Sequence, residues 1–498
     1  MEEIRKFKKK IIKMKHIDGY DYSPYLNKEP ASEKEIMTTA NKMKIMDYKY
    51  SYEGKTSGNY YFDVDQKHIS FLKDVSKDFM FINGLHFKNS MGSIQIKSEL
   101  ISFMIDLFNG DDEVVGSTTS GGTESIFVGV YGLREWGRAN GITKPKILAV
   151  KTAHPAIDKA CYYLEIELVK FSHCHKTGKG NFKEMVRKID GNTIGVYMSG
   201  INYPHGIVDD VQWVNNYLLG KDPKTGEINE KTKKKYAHVG IFVDGCLGGF
   251  FTSVSAYLKD GRLPVVDFRL EKVLTITCDP HKYAMSPKGC SVVLFRNEDM
   301  KLYSMFSSPN WPGGAYATSG LPGSHPCAPI VGAWASLKRL GMDGIIKNYK
   351  RITGVVDKLK KDISEIPELQ VIGDPVGCVI AFNISPLMDK KYSIIILNEI
   401  LTKTKQWGLG ISSDPIAIRM TVTKHNCENI ETSLGSDLKE AIVEYKKNYS
   451  THHDPKSDSM VVYGTVVNMP GDLSKKIVKY FLLYLSTLEK KVDKKSKI

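Results

Sequence analysis

Short apolar, β-branched runs recur through the middle of the chain, at 147–150, 166–171, 194–198, 239–243, 273–277 and 291–295. They lack the alternation of a strand with one wet face, so they read as strands covered on both sides. Helical or turn-rich stretches separate them, as at 155–164 and 211–219. Strands alternating with helices predict an α/β fold with a mostly parallel central sheet and helices on both faces. Beyond residue 341 the pattern becomes more helical. It predicts helices at 352–363, 394–402 and 434–445 and strands at 378–384 and 416–422, hence a smaller α+β C-terminal domain. The expected organisation is an N-terminal extension (1–56, poorly structured or peripheral), a large domain (57–340) and a small domain (341–498). The stretch 221–236 breaks the rhythm with Asp-Pro, Thr-Gly and a lysine run, and reads as an exposed loop.

Composition narrows the class. The chain has 498 residues, 42% of them hydrophobic, enough for more than one core. Its formal charge of +14 is concentrated at 5–15, at 221–235 and in the tail from 490. A basic balance suits anionic partners, although solvated lysine on exposed segments is the plainer account. No nucleic-acid motif is present. No apolar run approaches the length of a membrane span, and the start lacks the core of a secretory signal. Ile4, Phe7, Ile11 and Ile12, set among lysines, are compatible with a short amphipathic helix in peripheral contact with an anionic membrane, or with a solvated terminus. The eight cysteines are scattered, with no C-x-x-C pair. That argues against a zinc knuckle, leaves no metal site to assign, and fits a reducing, cytoplasmic setting.

Four segments carry candidate chemistry, each at a strand-to-helix turn. Residues 118–126 set hydroxyls and paired glycines, Gly121 and Gly122, before an apolar helical stretch, where free N–H groups can cradle a phosphate. His154 follows a strand and can stack on a planar ring. Asp244 closes an apolar run before a glycine-rich turn, either as a helix cap or as the partner of a protonated ring nitrogen. His281 and Lys282 follow a strand end and a proline; a lysine there becomes a nucleophile if its surroundings lower its pKa. Singly, each has a plainer structural account. In this order, they describe a pyridoxal 5'-phosphate site.

The chain resembles the sphingosine-1-phosphate lyases, within the group II decarboxylase branch of pyridoxal-phosphate enzymes. The resemblance runs from about Ser57 past Tyr463. It is carried by Ser57-Gly58, Leu107-Phe108-Asn109-Gly110, the run from Thr119 to Ser125, Tyr203-Pro204-His205-Gly206, Asp244 with Cys246 to Phe250, His281-Lys282-Tyr283, Pro287-Lys288-Gly289 and Gly313-Gly314. It implies a fold-type-I homodimer with composite active sites. Lys282 would carry the cofactor, Asp244 would face its ring nitrogen, and His154 would stack on the ring. Gly122, Thr123 and His281 would hold its phosphate, and Thr318 would reach the partner's cofactor phosphate. Tyr61 and Tyr203 match positions beside the reacting part of the substrate; His86 and Lys288 match positions that bind the substrate phosphate. The implied activity is an aldehyde-lyase cleavage of the C2–C3 bond of a phosphorylated sphingoid base, giving phosphoethanolamine and a long-chain aldehyde. Amino-acid decarboxylation with the same cofactor is the alternative. Three features depart from the pattern: Asn83-Gly84-Leu85-His86-Phe87 stands where the family has Asn-Pro-Leu-His-Pro, His325 stands where it has arginine in Gly-Ser-Arg-Pro, and 221–235 looks inserted. The chain also lacks the membrane-spanning N-terminus of the animal and fungal enzymes, as soluble bacterial forms do.

Overall fold

The computed structural model describes residues 29–48, 53–58, 61, 65–85, 90–222, 224–389 and 392–448, with a few positions between 475 and 483. One compact unit is Gly54–Val443; the two chain ends form a second. The basic stretch at 4–12, the tail from 490, His86 and Tyr463 lie outside the described residues.

Seven strands form the main sheet: β1 (Val115–Thr119), β2 (Lys146–Val150), β3 (Glu167–Phe171), β4 (Thr193–Ser199), β5 (Gly240–Asp244), β6 (Val273–Cys278) and β7 (Ser291–Phe295). Their order is β1-β7-β6-β5-β4-β2-β3. β7 runs antiparallel to both neighbours, and β2 to β6 are mutually parallel. Every residue of β2, β4, β5 and β7 is buried, which is why these strands read as unbroken apolar runs. β1 was not expected: its sequence, Val-Gly-Ser-Thr-Thr, hides a buried strand behind hydroxyls.

The register shows that helices cover both faces. Val115 and Thr275 both lie opposite Phe295, so all three side chains share one face. A Cβ at Gly129, in the helix Gly122–Ala139, would lie 2.9 Å from Thr275 on that face. Gly116, one step along β1, points the other way. A Cβ there would lie 2.9 Å from Ile101 of the helix Met91–Leu107.

A ribbon of β8 (Phe306–Ser308) and β9 (Tyr316–Thr318) precedes the helix Ala328–Ser364, which is interrupted at Gly341 (φ +57°). A second, antiparallel sheet follows, ordered β10-β11-β13-β12, from β10 (Leu369–Val371), β11 (Val379–Ile384), β12 (Gly410–Ser413) and β13 (Ile416–Thr421). This is the smaller C-terminal layer, and the expected helices at 394–402 and 434–445 form as Ile394–Lys405 and Gly435–Lys447.

Two local expectations are corrected. Within 221–236, Glu230–Lys235 is a helix: Asn229 Oδ1 accepts from Thr232 N at 3.0 Å, with Glu230 in the first turn and lysines in the last. Among the first 55 residues, Glu33–Tyr48 is a helix opened by a capping box, in which Ser32 N donates to Glu35 Oε2 (2.9 Å) and Glu35 N to Ser32 Oγ (3.3 Å). Among the described residues, no helix is long and apolar enough to cross a membrane.

Candidate active site

Gly122, His154, Asp244 and Lys282 lie at or just past the carboxyl ends of β1, β2, β5 and β6, the usual place for ligands in such sheets. Asp244 is the last residue of β5 and 8% exposed. Tyr197 lies opposite Phe242 in the parallel register, and Ser199 opposite Asp244. Residues 197, 199, 242 and 244 therefore share a face, and the long phenol of Tyr197 reaches diagonally to Asp244. Its hydroxyl donates to Asp244 Oδ2 at 2.6 Å, and its ring stacks on Phe242 at 5.2 Å. Burial and then the Asp244 charge push the Tyr197 pKa well up, so the phenol stays a donor. The other carboxylate oxygen accepts from Cys246 N (3.0 Å) and from Thr277 Oγ1 (3.4 Å).

Lys282 follows β6 by one tight turn. Its Nζ lies 3.0 Å from Asp279 Oδ2, and His281 Nε2 lies 3.4 Å from the same oxygen. Asp279 is 2% exposed, and its Oδ1 has no hydrogen-bond partner. Burial alone would lower the Lys282 pKa, but the carboxylates of Asp279 and, less, Asp244 hold it above the usual lysine value. Burial would likewise raise Asp279, but Lys282 and His281 keep it low. The pair is therefore ionic, and Lys282 is not the pKa-lowered lysine that nucleophilic attack favours. His281 Nδ1 donates to Cys290 O at 2.7 Å, which fixes the ring. Burial lowers the His281 pKa.

Gly122 lies over this pair. A Cβ there would come within 2.8 Å of both Asp279 Oδ2 and Cys246 Sγ, so only glycine fits. It opens the helix Gly122–Ala139, whose first N–H groups lack intrahelical partners and whose cap residue, Gly121, offers no side chain. A chain of hydroxyls ties this turn to the strands: Thr119 Oγ1 to Ser125 Oγ (2.6 Å), Ser125 Oγ to Ser291 Oγ (2.8 Å), and Ser291 Oγ to Cys278 O (3.1 Å). Glu124 is buried and accepts from Ser120 N (2.8 Å) and from Leu321 N (3.0 Å). Thr123 and His154 are exposed. His154 Nδ1 accepts from Ala156 N at 3.2 Å, which leaves the ring proton on Nε2.

The antiparallel sheet adds further contacts. The hydroxyl of Tyr283 donates to Val422 O at 2.9 Å, and its ring meets Tyr61 edge-on at 5.3 Å. Tyr61 is 8% exposed; burial raises its pKa, so it stays neutral. Lys288 Nζ lies 4.8 Å above the Tyr61 ring and donates to His281 O at 3.4 Å. Burial and then Lys282 lower the Lys288 pKa. Tyr203 is 37% exposed and joins not Lys282 but Arg419, whose Nη2 donates to the phenol oxygen at 2.9 Å and whose Cζ lies 3.7 Å from the ring centre. Thr318 is half-buried on β9, antiparallel to Phe306. No metal site was assigned from the sequence, yet His173, His175 and Asp414 come within metal-ligand reach of one another. His175 Nε2 lies 2.8 Å from Asp414 Oδ1, and both of these side chains are at least half exposed.

These donors fit pyridoxal phosphate. They supply a lysine, a buried carboxylate for the ring nitrogen, a glycine turn with free N–H groups for the phosphate, and an exposed imidazole past the end of β2. The sequence reading gave no role to Tyr197, Asp279, Glu124 or Arg419. Tyr197 sits inside an apolar run, where only the register reveals its reach. Asp279 had a signal: a carboxylate three residues before Lys282.

No family model matches the chain. Curated relatives do. The sphingosine-1-phosphate lyase of Dictyostelium discoideum is 33% identical over 418 residues, covering 84% of this chain and 74% of that protein. The lyase of Saccharomyces cerevisiae is 32% identical over 434 residues, covering 86% and 69%. The solved sphingosine-1-phosphate lyase of Burkholderia pseudomallei superposes with a TM-score of 0.79 at 25% identity, over 87% of this chain and 95% of that one. Glutamate decarboxylase of Lactobacillus brevis shares the fold, with a TM-score of 0.71 at 19% identity over 85% of this chain and 96% of that one. Sequence, fold and the residues gathered around Lys282 agree: the chain belongs to the sphingosine-1-phosphate lyase family of pyridoxal-phosphate enzymes.

Proposed function

We propose that this chain is an aldehyde-lyase that cleaves the C2–C3 bond of a phosphorylated long-chain base, releasing phosphoethanolamine and a long-chain aldehyde. The observation that carries the substrate class is Lys288. It is a second cation beside the Lys282 turn and 4.8 Å from the centre of the Tyr61 ring; Asp279 acts on it at a distance, and among the described residues it forms no ion pair with a carboxylate. A lysine so placed presents a point charge suited to a phosphate. His86 is assigned to the same phosphate on the family pattern alone.

The cofactor, when bound, supplies the electron sink for the bond cleavage. The protein does the rest. Lys282 carries the cofactor, and Asp279 Oδ2, 3.0 Å from Nζ, is the nearest base for the proton that Nζ must lose. Gly122, Thr123 and His281 would hold the cofactor phosphate, and His154 would stack on the ring. Asp244 would keep the ring nitrogen protonated, its carboxylate oriented by Tyr197, Cys246 and Thr277. Of the two candidate phenols, Tyr203 is the accessible one, and we assign it the proton of the C3 hydroxyl; Arg419 positions it. Tyr61, buried and neutral, borders the reacting end of the substrate. Two such sites form in a homodimer, with Thr318 reaching the partner's cofactor phosphate.

Purified protein incubated with a phosphorylated sphingoid base is expected to release aldehyde and no carbon dioxide; carbon dioxide from an amino acid, without aldehyde from the base, would establish the decarboxylase alternative. Asp244→Asn keeps the shape and removes the charge. Turnover should fall by roughly 10²- to 10³-fold, the loss seen when one charge-stabilising group is removed. A near-normal rate would reduce Asp244 to a cap. Lys288→Ala should raise the KM for phosphorylated substrate by more than tenfold while cofactor absorbance is retained; equal loss of both would move Lys288 into the cofactor shell. Because a partner-borne ligand is lost with the partner, dilution should lower cofactor occupancy in step with dimer content. A fully loaded, active monomer in sedimentation would rule out the composite site.

A further inference from the structure

A second cationic cavity has none of Lys282, Asp279, Asp244 or Lys288 in its lining. Its volume is about 300 Å³, and it opens between the helix Met91–Leu107, the edge strand β1 and the turn before the helix Ala328–Ser364. Lys97 and Lys301 line it, with His325 and the hydroxyls of Ser93, Ser117 and Ser319. Burial lowers the pKa of both lysines, and Lys301 further lowers Lys97 by repulsion. Neither lysine forms an ion pair with a carboxylate among the described residues. Glu298, three residues before Lys301, offsets part of its charge without an ion pair, and two cations on one partly buried wall remain costly until an anion joins them. The charge belongs to this cavity: the cation acting on Lys97 is Lys301, whereas the one acting on Lys288 is Lys282.

Gly84 and His325 meet on the wall of the cavity. The His325 ring lies so close that a Cβ on residue 84 would sit 2.4 Å from its Nε2. His325 Nδ1 donates to Gly323 O (3.0 Å), which leaves Nε2 as the nitrogen beside Gly84. The backbones are joined by Gly84 N to His325 O (2.9 Å), and Asn83 Nδ2 donates to Ser324 Oγ (3.0 Å). The glycine therefore makes room for this histidine, and the pair forms one wall of the cavity.

We propose that this cavity binds a phosphate dianion, either free inorganic phosphate or a phosphate monoester headgroup, between Lys97 and Lys301 with the serine hydroxyls as further partners. Hydroxyls suit phosphate oxygens, and lysines supply charge without demanding one orientation. At about 30 Å³ of liquid volume per water, the space takes a phosphate and several waters.

The holoenzyme, its cofactor site filled, is titrated with inorganic phosphate and with phosphoethanolamine by calorimetry and ³¹P NMR. In parallel it is sedimented with phosphatidylcholine vesicles containing phosphatidic acid. Saturable binding that survives Lys288→Ala and falls at least tenfold in Lys97→Met and in Lys301→Met supports the site. Binding of the soluble anions identifies free phosphate or a soluble headgroup as the ligand; binding of vesicles alone identifies a lipid source. Lys97→Arg keeps the charge and should keep the binding, which separates loss of the site from misfolding. No Lys97-dependent binding in either arm, or binding lost in Lys288→Ala and retained in Lys97→Met, overturns the proposal. The readout is binding, so a failure of lyase turnover leaves it unaffected.

Discussion

The structure turns on the ion pair between Asp279 and Lys282. A carboxylate only 2% exposed must be paired, and its partner is the lysine that follows the β6 strand end. Removing one member of a buried pair typically costs about 3–5 kcal/mol, because the other is stranded. The pair therefore anchors the turn after β6. The same attraction holds Lys282 in its charged form. Under the proposed function, the bond that stabilises the turn is thus also the one that opposes nucleophilic attack.

Other contacts keep that turn where the sheet can use it. Gly122 lets the phosphate-cradle helix approach to a distance that no side chain would allow. The hydroxyl chain from Thr119 to Ser291 ends on Cys278 O, at the end of the strand that leads to Asp279. From the other side, the antiparallel sheet holds the roof: Tyr283 to Val422, Ser412 to Pro204 (2.8 Å), and Arg419 to Tyr203. Asp244, Asp279 and Lys282 come from the strand ends of the main sheet, and the smaller sheet fixes the phenols of Tyr203 and Tyr283. Ser57 joins the N-terminal strap to this roof, accepting from Thr421 N at 2.9 Å and donating to Arg419 O at 3.2 Å.

Charge is divided between two places. Lys282 is ion-paired to the buried Asp279. Lys97 and Lys301 form no ion pair among the described residues, with Glu298 offsetting part of the Lys301 charge. On the wall of that cavity the His325 ring leaves no room for a Cβ on residue 84, so the glycine is a packing requirement of the ring.

The sequence by itself determined the strands that are buried on both faces, because continuous apolar runs leave no other option, and it determined the order of the cofactor residues along the chain. β2, β4, β5, β6 and β7 lie within a residue or two of where periodicity put them. Lys282, Asp244 and Gly122 stand out because glycine, a strand-end carboxylate and a lysine past a proline are local signals. Tertiary structure alone decided the rest. β1 is a strand only because β7 pairs with its hydroxyl-rich segment, and Tyr197 reaches Asp244 only because β4 and β5 pair in one register. Arg419 meets Tyr203 across 216 residues of chain, and His325 meets Gly84 across a similar span. Such contacts leave no trace in local pattern: they depend on which faces the sheets turn toward each other, and that is set by packing rather than by neighbours in sequence.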